Sequence, residues 1–382
     1  MPDNMQNEIL KELLELDTGK AQPLFHPYPI INIFREDEPL TVKKIEKKDD
    51  EKLLKDMAGL LCDVSETVQS QISIQLEIEG AKLVSESNTR IDDVEEEDES
   101  KSEVADFTIA MDSDASFLKY AILQGCPALK ATYGLVSRYG MDTDAPSLAQ
   151  PAIGAKNVAV IAKVLQAIAG VDNKDPMSRD AYIYEYMEAL KNTDMTGMKI
   201  AVPENLSGME LGEMQIACYN QMLDVMEAKG AEIETVDLEW ISYAVSVHEM
   251  IAAAEKVMTA DEISMSLMEE DEMLQFGAFL LEEDNYETYY LKALKLRSLI
   301  KDSYDMLFRD YALFVVPYTE AVDPYSVAAN LAGLPSMTMP YVPYGAETAD
   351  GTVVTAGIHM IAGTNYENHL IKAAYTYEQE VL

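Results

Sequence analysis

Residues 106–148 read DFTIAMDSDASFLKYAILQGCPALKATYGLVSRYGMDTDAPSL. Phe107 to Met111 is a short apolar run of the kind that forms a buried strand. A tight turn follows, then Ser116 at the mouth of a helix, then a long ordered loop. Backbone N–H groups converge where a strand turns into a helix and can meet a developing oxyanion there, so the layout suits acyl transfer.

Downstream, residues 155–170 (AKNVAVIAKVLQAIAG) give a strongly apolar helix with Asn157 near its start and Gly170 at its stop. A second helix is expected over 179–190. Gly197 to Pro203 and Ala231 to Leu238 read as strands around a helix from Gly212 to Lys229, a βαβ unit. Long helices are expected over 242–258 and 287–308. Strands follow at 312–317, 336–342 and 352–361, and a closing helix at 367–379. Strands alternating with helices make this an α/β fold with a mixed sheet covered by helices.

Upstream the texture changes. Ile9, Leu10, Leu13, Leu14 and Leu16 fall at helical spacing over residues 5–16. Pro23, Pro27 and Pro29 then force an extended arm as far as Pro39, with Ile30, Ile31, Ile33 and Phe34 as apolar anchors. A helix and an arm with no core of their own are built to wrap another surface. Two more helices are expected near 50–62 and 65–84, before the acidic run IDDVEEEDESKSE, which is expected to be solvated.

The 382 residues carry 29 basic and 68 acidic side chains, a net charge of −39. Such a field repels nucleic acid and anionic membranes, so contact with RNA would come through a partner. Cys62, Cys126 and Cys218 are odd in number and far apart, which argues for a reducing compartment and against disulfides. Cys126 reads as a structural thiol rather than a nucleophile, since no motif links it to His26, His248, His359 or His369. There is no span of about 18 apolar residues and no signal-peptide core, so a cytoplasmic location is expected. No cofactor and no metal site are expected.

Several stretches resemble known families. Leu129 to Gly140 (LKATYGLVSRYG), Ile168 to Asp175 (IAGVDNKD), Ala329 to Pro335 (ANLAGLP) and the Tyr289-Tyr290 to Lys301 segment resemble the A subunit of the tRNA-dependent amidotransferases (GatCAB), members of the amidase signature family. Leu16-Asp17-Thr18, Pro23, His26, Pro29 and Asn32 to Glu38 (NIFREDE) are similar to the small C subunit of the same amidotransferases. The resemblance implies three regions: a C-subunit-like arm (1–45), a helical and acidic linker (46–105) and a shortened amidase-signature-like domain (106–382). It implies glutamine hydrolysis supplying ammonia to glutamyl-tRNA(Gln) or aspartyl-tRNA(Asn) through a B-subunit-like partner.

That chemistry runs on a Ser, Ser, Lys triad, with the lysine held neutral by burial and the bridging serine relaying the proton. Asp112 to Ser116 (DSDAS) falls on the family's D-T-G-G-S turn, with Ser116 at the nucleophile position and Asp114 and Ala115 in place of its two glycines. If the turn needs positive φ, each disfavours it by roughly 1–2 kcal/mol. The triad lysine and bridging serine have no counterpart; Lys55-Asp56 imitates the K-D context but lies on an amphipathic helix. Arg297 and Asp323 match the residues that hold the carboxylate and ammonium of glutamine. Read from the residues alone, Arg297 is equally a cation on an exposed helix face, and Asp323 a helix N-cap before Pro324. Two function classes therefore stand: a glutamine amidase with impaired activity, and a non-catalytic scaffold, regulator or amino-acid binder.

Overall fold

The computed structural model describes residues 18–19, 21–24, 76–78, 81–84 and 107–381, except 142, 205, 207–208, 210, 261–270, 320–322 and 342–355. The expected helices at 5–16 and 50–62, the arm beyond residue 24, the acidic run and Lys55 lie outside the described residues. Within the arm, the Leu24 N–H donates to the Leu294 carbonyl over 3.1 Å.

A ten-stranded mixed sheet runs through the molecule in the order β1-β2-β3-β5-β4-β9-β10-β8-β6-β7. The strands are β1 (Leu76–Ile78), β2 (Ala81–Val84), β3 (Phe107–Asp112), β4 (Ala128–Lys130), β5 (Gln150–Ala155), β6 (Lys199–Pro203), β7 (Glu232–Val236), β8 (Leu313–Pro317), β9 (Ser336–Pro340) and β10 (Gly357–Ala362). The longer helices among the described residues are α1 (Ser116–Leu123), α2 (Val158–Ile168), α3 (Glu213–Ala228), α4 (Ala244–Thr259), α5 (Glu272–Leu281), α6 (Leu291–Leu307), α7 (Pro324–Ala332) and α8 (Glu367–Val381). The βαβ unit forms as expected, with β6 and β7 parallel and α3 between them. The Asn157 side chain caps α2 by accepting from the Val160 N–H. A single π-helical turn, Tyr286–Tyr290, leads into α6.

Strand register divides the side chains into two faces. One carries Phe107, Ile109, Leu129, Ile153, Val315, Met337, Met339, Ile358 and Met360, and α2, α3 and α8 close over it as an apolar core. The opposite face carries Ala201, Phe314, Val316 and Ile361 toward one side, under α4, α6 and α7. Toward the β3 side the same face holds Asp112, Lys130, Gln150, Ser336, Thr338 and His359, all buried.

Among the described residues, two expected helices are not formed. Where a helix is expected over 65–84, β1 and β2 pair antiparallel with Ile78 opposite Ala81. Ile72, Ile74, Leu76 and Ile78 alternate with polar residues and Gly80 follows, so the period is two, not 3.6. Residues 179–185 are irregular and only Tyr186–Leu190 coils, as a 3-10 turn. Long-range bonds take the backbone there: Arg179 N–H to the Gly134 carbonyl and Tyr186 N–H to the Gln166 side chain, with the Tyr186 ring buried against the core.

Candidate active site

The turn after β3 is organised by its own carboxylates. Asp112 ends the strand facing inward, and its Oδ1 accepts from the N–H groups of Asp114 (3.2 Å) and Ala115 (2.6 Å). Asp114 Oδ1 accepts from the Ser116 N–H at 3.0 Å. Ser116 is thus the first residue of α1, half-buried, with three neighbouring N–H groups already bound to carboxylates. Of the two positions where the resembled turn has glycine, only Ala115 adopts the left-handed conformation (φ 68°); Asp114 does not. His248, on α4, lies with Nε2 2.8 Å from the Ser113 carbonyl and braces the turn from behind.

Asp112 belongs to a buried polar layer between the sheet and α7. Lys130 Nζ donates to Asn330 Oδ1, and Asn330 Nδ2 donates to the Asp112 carbonyl at 3.2 Å. Burial pushes the Asp112 carboxyl up to about 6 and the Lys130 amine down to about 8, although each is drawn the other way by its partner's charge. Asp112 Oδ2 has no hydrogen-bond partner among the described residues.

At the start of α7, Asp323 caps the helix: its Oδ1 accepts from the Ser326 N–H at 2.7 Å, and its Oδ2 from the Ser326 hydroxyl. The same hydroxyl meets His359 Nδ1. Serine has one proton to give, so with Asp323 ionised it donates to the carboxylate and His359 Nδ1–H donates to Ser326. His359 Nε2 is then an unprotonated acceptor with no partner among the described residues. Burial, then the charges of Lys130 and Lys119, hold His359 well below its ordinary range. Lys119, one turn into α1, is half-buried beside Asp323, Asp114 and Asp112, and burial lowers its amine despite them.

Arg297 is not on an exposed helix face. It is 2% exposed and clamps the chain before β5, with Nε to the Leu331 carbonyl (2.7 Å), Nη1 to Ser147 Oγ (2.6 Å) and Nη2 to the Ser147 carbonyl (2.7 Å). Glu255 takes the Ser147 N–H at 2.9 Å and is the foremost charge drawing on Arg297. Cys126, far from this layer in role, gives its thiol to the Gln124 carbonyl, and burial raises its pKa.

Ser116, Asp114, Ala115 and Asp323 therefore gather around one polar layer, with Arg297 in a separate clamp. Sequence reading missed Lys119, Lys130, Ser326, Asn330, His248 and His359. The polar residues Lys130, Ser336, Thr338 and His359 punctuate otherwise apolar strands, a signal visible only once register places them on one face.

A helix-covered mixed sheet with a serine at the turn from β3 into α1 defines the class as α/β. The chain belongs to the amidase family, whose model matches residues 102–371. It is 32% identical over 313 residues to the A subunit of the glutamyl-tRNA(Gln) amidotransferase of Lachnospira eligens, a match covering 71% of this chain and 63% of the relative. The corresponding protein of Lachnoclostridium phytofermentans is 30% identical, covering 72% and 64%. The crystal structure of the A subunit from Thermotoga maritima superposes with a TM-score of 0.59 at 25% identity, covering 72% of this chain and 62% of that one. A peptide amidase from Stenotrophomonas maltophilia shares the fold, with a TM-score of 0.59 at 22% identity over 72% of this chain and 62% of that one. The chain spans less than two thirds of the length of the curated relatives it matches. Among the described residues, no helix is long and apolar enough to cross a membrane.

Proposed function

We propose that this chain is an amidase-family protein of the glutamine-amidase type, acting on glutamine beside a B-subunit-like partner that carries the tRNA and ATP chemistry, with glutaminase activity much reduced. The observation that carries this reading is Ser116 at the first position of α1, following an aspartate-led turn inside the family-matched region. Arg297 and Asp323 are the residues that would meet the carboxylate and ammonium of glutamine. Asp323 lies in the polar layer beside the turn that leads to Ser116, whereas Arg297 is buried in its clamp on Ser147 and Leu331 and would have to release part of it to meet a ligand. Reduced activity follows from the turn: the N–H groups of Asp114, Ala115 and Ser116 are bound to carboxylates, and a single oxyanion donor is worth roughly a hundredfold or more in rate.

The same occupied turn favours a second reading, a non-catalytic scaffold, regulator or amino-acid binder in an amidotransferase-like complex. Ammonia release from glutamine, measured for the chain alone and with a B-like partner, separates the two. Slow turnover abolished by Ser116→Ala is the expected result. No turnover in either condition, together with glutamine-dependent thermal stabilisation that Asp323→Asn removes, would establish the binding role instead.

A further inference from the structure

We propose that His248 is the positioning residue of the Ser116 turn: it fixes the plane of the peptide between Ser113 and Asp114, and with it the place of Ser116 at the head of α1. This rests on the reading of Ser116 as the nucleophile position and adds the group that holds that position. His248 Nε2 stands 2.8 Å from the Ser113 carbonyl, across 135 residues of chain. A carbonyl only accepts, so Nε2 carries the proton; the bond also survives in the imidazolium, which has an N–H at both nitrogens. The Ser113 C=O and the Asp114 N–H belong to one planar unit, and in a trans peptide they point in opposite directions. His248 takes the C=O and Asp112 Oδ1 takes the N–H at 3.2 Å. The plane is held from both sides and cannot rotate without breaking both bonds. Its orientation is set one residue before Ala115 takes its left-handed φ of 68° and α1 begins at Ser116. Asp112 is a local partner that travels with the turn, whereas His248 ties the turn to another element.

That element, α4, is well anchored. Val247, Met250, Ile251, Ala253 and Ala254 bury one side of it. Helix α5 presses so close that a Cβ on Gly277 would stand 2.0 Å from the Ala253 carbonyl oxygen, and Lys256 Nζ meets Asp271 at 2.6 Å. Glu255 follows His248 by seven residues, which is two turns, so it lies on the same face about 10 Å further along. It accepts the Ser147 N–H, and Ser147 is the residue that Arg297 grips. One face of α4 therefore holds both the turn that carries Ser116 and the segment that carries the Arg297 clamp.

The test uses the full chain as wild type, His248→Leu and His248→Gln, the last of which places an amide N–H where Nε2 stands. Ring-nitrogen NMR of the histidine-labelled wild type, with His248→Gln identifying the signal among the four histidines, should show His248 protonated at Nε2. Hydrogen exchange of the peptide covering residues 112–118 should be about tenfold faster in His248→Leu and return toward wild type in His248→Gln, while residues 158–168 of α2 stay unchanged. Labelling of Ser116 by a fluorophosphonate, which passes its phosphonyl group to serine with loss of fluoride, should slow in His248→Leu and recover in His248→Gln. An Nδ1–H tautomer at His248, unchanged exchange of 112–118 in His248→Leu, or no recovery in His248→Gln would overturn the positioning role. Exchange that rises equally at 158–168 would overturn it too, by showing a general loss of stability. No labelling of Ser116 in wild type would overturn the reading of Ser116 as the nucleophile position, and the tautomer and exchange results still decide the role of His248.

Discussion

The two faces of the sheet are buried to the same extent and held by opposite means. On one, Leu129, Ile153, Met337 and Met360 meet α2 and α8 through apolar contact alone. Such a face tolerates substitutions of similar volume and is indifferent to pH. On the other, Asp112, Lys130, Asn330, Asp323, Ser326 and His359 sit in a buried layer where every donor needs an acceptor. Such a layer is unforgiving of a lost partner and sensitive to protons. Ser116 sits at its margin, so the face that is costly to bury is also the one that borders the proposed site.

Removing one partner from the polar side should give the largest effect. Arg297→Leu strips the cation from buried Glu255 and leaves the Ser147 and Leu331 carbonyls without their donor. A loss of about 3–5 kcal/mol is expected, read as a lower denaturant midpoint at unchanged slope. Arg297→Lys should recover part of it. A loss below about 1 kcal/mol would show that the clamp on Ser147 does not hold this side of the sheet.

Protons should sharpen the contrast next. Asp112 titrates near 6 in the fold and at its ordinary value of 3.8 when unfolded, so between those values the folded state binds the extra proton. Stability from this group therefore falls as pH rises from about 4 to 6, by something on the order of 3 kcal/mol. Lys130 works from the other end: with its amine near 8 folded and 10.5 unfolded, its contribution is recovered as pH rises between the two. Difference curves between wild type and Asp112→Asn, and between wild type and Lys130→Met, should show the acid limb and the alkaline limb respectively. Leu165→Ala, on the apolar face, should lower stability by the same amount throughout. A flat difference curve for Asp112→Asn would mean that its carboxyl is not held in its neutral form by burial.

The apolar face is legible in the sequence because its signals are local. Asn157 and Gly170 bracket α2, and the 197–238 stretch alternates strand, helix and strand within about forty residues. Local reading fails where long-range bonds displace local preference, at 179–185, and where Ile72, Ile74, Leu76 and Ile78 carry a strand's alternation inside a stretch long enough for a helix. The site is half legible. Ser116 stands in a recognisable turn, and the capping role of Asp323 follows from the proline after it. His359 reaches Ser326 from a strand 33 residues away, and Lys130 reaches Asn330 across 200, partnerships that no spacing rule contains.

The smallest effect tests the turn itself. Its two departures from glycine look equivalent in sequence, yet only Ala115 has φ in the left-handed region, at 68°. That conformation costs an alanine about 1–2 kcal/mol, and glycine adopts it freely at an entropic cost of about 0.5–1 kcal/mol. Ala115→Gly should therefore stabilise the chain by about 0.5–1 kcal/mol, measured at the denaturant midpoint. Asp114→Gly should do the reverse, because Asp114 lacks the strained backbone and its carboxylate holds the Ser116 N–H. If both substitutions stabilise, the carboxylate bond to Ser116 contributes nothing and the turn is strained throughout. If only Ala115→Gly does, the strain at Ala115 and the acidic cap of Asp114 are separate features of one turn, and a variant could relieve the first while keeping the second.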